Sequence, residues 1–203
     1  MTVLIDTDAF WKLGLADLLE DSVSLLGVEP KGCARLPALP YMLQRGSLFR
    51  RLGERACKKL LPIAQRMRSA PESSGAWLDK LTPINAIDPG EAQLFAAAAD
   101  FRYMVLSDDK RAMRELKNVQ GMPEALKGNI VVLEGLLLAL CTKLGASEVR
   151  RRVSAIISLD AMLSICFSPG NNDVMECLHS YYSNLTAELA PLVLWSPNLE
   201  VTK

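Results

Sequence analysis

The sequence predicts an α/β fold: a three-layer α/β/α sandwich around a central parallel sheet, with a helical extension at the C-terminal end. Three observations lead there. Short runs rich in Val, Ile and Leu stop abruptly at acids, as Val3-Leu4-Ile5 does before Asp6, Tyr103 to Ser107 before Asp108, and Asn129 to Leu133 before Glu134. Each run is followed by residues with helical spacing, and alternating strands and helices build parallel sheets covered on both faces. The chain has 203 residues and is 50% hydrophobic, enough for one core domain with an extension. We therefore expect a domain over residues 1–145 and an extension over 146–203.

Along the chain, Thr2 to Ile5 reads as a buried strand, and Ala9 to Leu26, with apolar residues at Phe10, Leu13, Leu18, Val23 and Leu25, reads as a helix. Gly27 to Pro40 is broken by prolines and glycines, with a short strand around Cys33 to Leu36. Residues 45–68 carry eight bases against the single acid Glu54, threaded through Leu48, Leu52, Leu60 and Leu61. This is a basic amphipathic helix or helix pair. Its Arg50, Arg51, Arg55, Lys58 and Lys59 are candidates for a phosphate-binding track, and a solvated face is the plainer reading. Residues 69–75, SAPESSG, read as a loop marking an insertion or hinge.

After Pro89-Gly90, the Ala-rich segment Glu91 to Arg102 reads as a helix with Glu91 in its first turn. Lys110 to Asn118 and Glu134 to Gly145 read as helices that follow the second and third apolar strands. Beyond Gly145, two helices are expected, one to Gly170 and one from about Asp173. Val149, Val153, Ile156, Ile157 and Leu163 form a stripe that requires a partner: the sheet domain, a second copy in a homo-oligomer, or another protein. Arg150, Arg151 and Arg152 are positioned to extend a phosphate track, or simply to open a solvated helix. The ending LVLWSPNLEVTK reads as a strand or ordered tail.

Composition excludes several classes. The 23 basic and 23 acidic residues balance, so charge alone names no partner. No signal-peptide pattern opens the chain, and Val153 to Asn172 is interrupted too soon to cross a bilayer, so a cytoplasmic protein with no membrane association is expected. The five cysteines, Cys33, Cys57, Cys141, Cys166 and Cys177, include no C-x-x-C pair and read as buried free thiols. Gly-rich phosphate loops are absent, and the single histidine, His179, is expected to be structural or superficial.

The acids carry the chemistry. In a doubly wound sheet, ligands gather outside the carboxyl ends of the strands. Asp6 and Asp8 follow the first strand, Asp108 and Asp109 a later one, Glu134 the last, and Glu91 opens the helix leading into the Asp108 strand. Each acid taken singly is explained as a helix cap or a first-turn partner of the helix dipole. Together they repel unless a hard divalent cation, Mg²⁺ or Mn²⁺, is held between them.

The run VLIDTDAF resembles the opening of PIN-domain nucleases, whose first strand ends in Asp followed by Thr or Ser. The segment GEAQLFAAAADFRYMVLSDDKRA followed by IVVLEGLLLALCTKLG, Gly90 to Gly145, is similar to the later half of that domain in its order of elements. The resemblance implies a site of three or four acids, one or two divalent metals, and hydrolysis of RNA phosphodiesters. It implies Asp6, Glu91, Asp108 and Asp109 as catalytic residues, with Asp6, Asp8, Asp108 and Asp109 as metal ligands and Ser107 and Glu134 in support. Two departures stand out: LPALPYMLQ lacks the acid expected after the second strand, and Asp8 replaces the commoner Asn or Ser. Asp8 or Glu134 then compensates, or the domain is a degenerate scaffold binding RNA or a protein partner. The D-T-D opening and the VLSDD run are also similar to haloacid-dehalogenase phosphatases. Against that, Ala9-Phe10 follows the first motif and no matching Ser/Thr strand or lysine intervenes.

Overall fold

Strict alternation of side chains along each short strand sorts the apolar residues onto two faces. Val3 and Ile5 join one hydrophobic core and Leu4 the other; Met104 and Leu106 divide from Val105 in the same way, and Val131 divides from Ile130 and Val132. Burial on both faces is what parallel strands require. The computed structural model describes residues 1–73 and 75–197. Within them, β1 (Val3–Ile5), β2 (Cys33–Arg35), β3 (Arg68–Ser69), β4 (Met104–Ser107) and β5 (Ile130–Val132) form a parallel sheet of order β3-β2-β1-β4-β5. Val3 aligns with Cys33 on one side and Met104 on the other. The fold is the expected α/β/α arrangement.

Helices cover both faces. The first core takes residues from α1 (Thr7–Leu15), α2 (Leu19–Leu25), α3 (Leu39–Gln44), α4 (Ser47–Arg66), α9 (Leu133–Leu144), α10 (Ala146–Val153) and α11 (Ala161–Cys166). The second takes them from α5 (Ala76–Leu81), α6 (Pro89–Phe101), α7 (Lys110–Leu116) and α8 (Met122–Ala125). The last helix, α12 (Val174–Leu189), belongs to both: Val174 and Leu178 enter the first core, Leu185 and Leu189 the second. It therefore wraps the β5 edge. Past it, Leu194 bridges Ile130 in parallel, and the Trp195 N–H donates to the Ile130 carbonyl at 2.7 Å. The returning chain thus covers an edge that would otherwise invite pairing. The stripe of residues 149–163 finds its partner in this same domain, and the extension is part of the core.

Several boundaries differ from expectation. The helix expected over Ala9 to Leu26 is two helices, because Asp17 adopts φ 56° between them. The basic segment is α4 kinked at Gly53, whose φ of 80° interrupts the helical backbone. The helix expected to run to Gly170 ends at Val153 and restarts at Ala161, where Asp160 caps α11 by accepting from the Leu163 N–H at 2.8 Å. Part of the 69–75 segment is tied to the sheet and to α6. Arg68–Ser69 is a strand, the Ala70 N–H donates to the Arg35 carbonyl, Gln93 bonds the Pro71 carbonyl, and the Ser73 hydroxyl donates to Asp100. Of the ending, residues 192–197 supply a single bridge to β5, and residues 198–203 lie outside the described ones. All five cysteines are free thiols, four of them buried, while Cys177 is half-buried. Among the described residues, no helix is long and apolar enough to cross a membrane.

The seam between α9 and α12 is tight. A methyl group built on Gly135 meets the Tyr182 ring at 2.8 Å, and the Tyr182 hydroxyl donates to the Trp195 carbonyl at 2.9 Å. Gly135→Ala is expected to lower stability by about 1–3 kcal/mol through overpacking of that ring. A shift of the urea midpoint with unchanged slope checks it; an unchanged midpoint contradicts it.

Candidate active site

The sheet order places β1 and β4 side by side at the point where the chain's winding reverses, so their carboxyl ends flank one crevice. Three helices start there. Asp6, Asp88 and Asp109 are the N-cap residues of α1, α6 and α7, and all three line a cleft of about 520 Å³ together with Glu91 and Arg51. The cleft is acidic where the helix N-termini are positive, so each carboxylate gains from the dipole it faces.

Asp6 is 7% exposed, and its side chain makes no capping bond. Burial, assisted by the charges of Asp8 and Asp88, pushes its pKa up to about 7 against the pull of the Thr7 N–H. Glu91 closes a capping box: its Oε2 accepts from the Asp88 N–H at 2.8 Å, while Asp88 Oδ1 accepts from the Glu91 N–H at 2.8 Å. Burial, and after it the neighbouring Asp109 carboxyl, push the Glu91 carboxyl up to about 8. Burial acts against Asp109 as well, yet the Ala112 N–H, Glu91 and Arg111 hold it below its ordinary value. The Ser107 hydroxyl accepts from the Asp109 N–H at 3.2 Å, which fixes the turn at the end of β4. Asp8 is half-exposed and already engaged, by Trp11 Nε1 at 2.9 Å and Arg51 Nη1 at 3.3 Å. Arg51 also lies over the Trp11 ring at 5.1 Å.

Adjoining these acids is a second group held by lysines, of which Asp108 and Lys110 also line the cleft. Lys12, 5% exposed, donates to both Asp108 and Asp160. Lys110 stands 3.4 Å from Asp108 and 2.6 Å from Glu134 Oε1. Burial alone lowers a lysine pKa, but the facing carboxylates outweigh it, so both amines are held charged above the ordinary value. Asp160, despite burial, is held below its ordinary value by Lys12 and the Leu163 N–H. Glu134 is 1% exposed and raised by burial; Lys110 neutralises it, but neither carboxylate oxygen has a well-directed hydrogen bond.

The expected constellation is therefore divided. Asp6, Glu91 and Asp109 meet in the cleft, and Asp88 joins them although the sequence reading passed over it; the D-P-G-E spacing of a capping box was its signal. Asp108 lines the same cleft, with its carboxylate paired to Lys12 and Lys110. Glu134 is buried against Lys110 and does not line the cleft. Of the basic track, Arg51 lines the cleft, and Arg50 and Arg55 are exposed on α4. Lys58 pairs with Glu54, and Lys59 binds Asp17 and the Leu15 carbonyl at the far end of α1. Arg151 and Arg152 pair with Glu148 within α10, Arg152 also donates to Asp21 on α2, and Arg150 bonds the Asn171 carbonyl, so these bases are engaged within the fold.

The cleft's donor set suits a hard divalent cation in its chemistry: carboxylate oxygens, two of them on groups whose charge is poorly compensated. Asp6, Asp88, Glu91 and Asp109 are the residues that could hold one. Among the described residues, no three Asp, Glu, His or Cys side chains are grouped tightly enough to do so without moving.

Two outcomes follow. A carboxyl raised on folding contributes its full share of stability below the ordinary carboxylate value and loses it as pH climbs through about 7. Asp6→Asn should thus raise stability by up to about 4 kcal/mol at about pH 8 in EDTA and leave it unchanged at about pH 4, read from urea midpoints. Lys12→Met should cost about 3–5 kcal/mol by stranding Asp108 and Asp160; a loss below about 1 kcal/mol would show that the buried pairs are not held as described.

Comparison of the chain with protein-family models, with curated proteins and with solved structures gave no match.

Proposed function

We propose that this chain is a divalent-metal-dependent ribonuclease that hydrolyses phosphodiesters in the cleft between β1 and β4. The observation that carries the reading is the gathering of Asp6, Asp88, Glu91 and Asp109 at the switch point of the sheet, with Asp6 and Glu91 pushed up chiefly by burial. The similarity of VLIDTDAF and of Gly90 to Gly145 to PIN-domain nucleases supports the substrate class.

When bound, Mg²⁺ or Mn²⁺ would supply Lewis-acid polarisation of the phosphate and an acidified water. Asp6, Asp88, Glu91 and Asp109, which line the cleft, are the residues that would hold the ion. Glu91 Oε2 is occupied by the capping box, so Oε1 is the oxygen that would face a bound ion or its water. Arg51 at the wall of the cleft pairs with a non-bridging phosphate oxygen, exchanging its exposed contact with Asp8 for the substrate. Arg50 and Arg55 continue the contact along α4.

One observation favours a second reading, a scaffold that binds RNA or a protein partner without cleaving. Lys12 and Lys110 already supply the positive charge that a second metal would give Asp108 and Glu134.

Cleavage of a panel of single-stranded and structured RNAs with Mn²⁺, Mg²⁺ or EDTA separates the two. The nuclease reading expects metal-dependent cleavage reduced at least about 100-fold in Asp6→Asn and Glu91→Gln, with RNA affinity retained. Arg51→Ala should weaken RNA binding by about tenfold and flatten its salt dependence. RNA binding without cleavage across the panel would favour the scaffold.

A further inference from the structure

We propose that Cys166 and Cys177 form a redox-active dithiol that small-molecule disulfides oxidise to an intramolecular disulfide. Their Sγ atoms lie 2.8 Å apart, closer than unbonded sulfurs ordinarily approach. A bond at about 2.05 Å needs a shift of less than about 1 Å. The connecting turn holds this approach. Asn171 Nδ2 donates to the Cys166 carbonyl at 2.8 Å, the Asp173 N–H donates to Asn171 Oδ1 at 3.0 Å, Arg150 donates to the Asn171 carbonyl, and Asp173 caps α12. The other cysteines are placed differently. Cys33 points to the Glu29 carbonyl and Cys57 to the Leu48 carbonyl, each within one segment of the first core.

The two thiols have unequal access, which assigns an order to the reaction. Cys177 is half-buried and lines an open depression of about 510 Å³ with Ile165, Asn171 and Tyr181, whereas Cys166 is fully buried. The Cys177 thiolate attacks one sulfur of a small disulfide, R–S–S–R, forming a mixed disulfide and releasing one thiolate, which takes up the Cys177 proton. Cys166 then attacks Cys177 Sγ, displacing the second thiolate, which takes up the Cys166 proton. In total, two protein thiols are oxidised and one small disulfide is reduced to two thiols. Burial, then Cys177, Glu134 and Asp160, raises the Cys166 pKa, which disfavours Cys166 as the first nucleophile. The new bond would pin α11, whose first turn is set by Asp160, to α12.

The test uses the full chain, reduced, desalted and incubated with oxidised glutathione, followed by alkylation under denaturing conditions and peptide mass mapping. The expected result is loss of two of the five alkylatable thiols, a cross-link joining the Cys166 and Cys177 peptides, reversal by dithiothreitol, and a thermal midpoint raised by about 5 °C. Cys166→Ser should instead stop at one glutathione on Cys177, and Cys177→Ser should gain neither adduct nor cross-link. Five alkylatable thiols in the treated, folded wild-type chain, or loss of thiols into any other pairing, would overturn the proposal.

Discussion

The structure turns on a buried lysine. Lys12 sits on a helix face between Phe10, Trp11 and Leu13, all buried, and its amine reaches Asp108 at the end of β4 and Asp160 at the start of α11. A charge in that position is costly to desolvate and is retained only because both carboxylates face it. The consequence is geometric. Three segments distant in sequence, the first helix, the β4 turn and the C-terminal extension, are held to one another directly beside the cleft. Lys110 carries the same logic to Glu134 on α9. The extension therefore belongs to the site's foundation, which explains why α12 enters both cores and why the chain returns to cover β5.

This arrangement also divides the acids by purpose. Those with a lysine partner, Asp108, Asp160 and Glu134, hold structure. Asp6 and Glu91, without a lysine partner, face the cleft with pKa values raised chiefly by burial; Glu134 is raised by burial too, against the pull of Lys110. The divide is electrostatic: similar side chains at neighbouring strand ends acquire different roles from whether a base reaches them. Adjacent Asp108 and Asp109 are the clearest pair. One turns to two amines, while the other caps α7 and lines the cleft with Glu91.

The central strands were legible because β1, β4 and β5 are short, apolar except for Ser107 at the end of β4, and followed closely by acids, a pattern that parallel burial imposes on sequence. β3 was not, since Arg68 and Ser69 are polar, exposed and only two residues long. Helical spacing ran without interruption through Asp17, Gly53 and the residues before Asp160, so the breaks there depended on backbone conformation and capping that periodicity does not record. The cleft's acids could be gathered from their places at strand ends. Their division could not, because a lysine in a helix is ordinarily solvated and its partner Asp160 stands 148 positions away. Asp88 was readable from its spacing to Glu91, and was missed because a cap alone explains it.

On the proposed reading, the uncompensated acids hold the ion and the lysine-paired ones do not. Calorimetric titration of Mn²⁺ into the wild-type chain, Glu91→Gln and Asp108→Asn tests that division most directly. The account predicts saturable binding to the wild type, retained within about threefold in Asp108→Asn and weakened at least about 30-fold in Glu91→Gln. Absence of binding to the folded wild type, or its loss in Asp108→Asn with retention in Glu91→Gln, would contradict it.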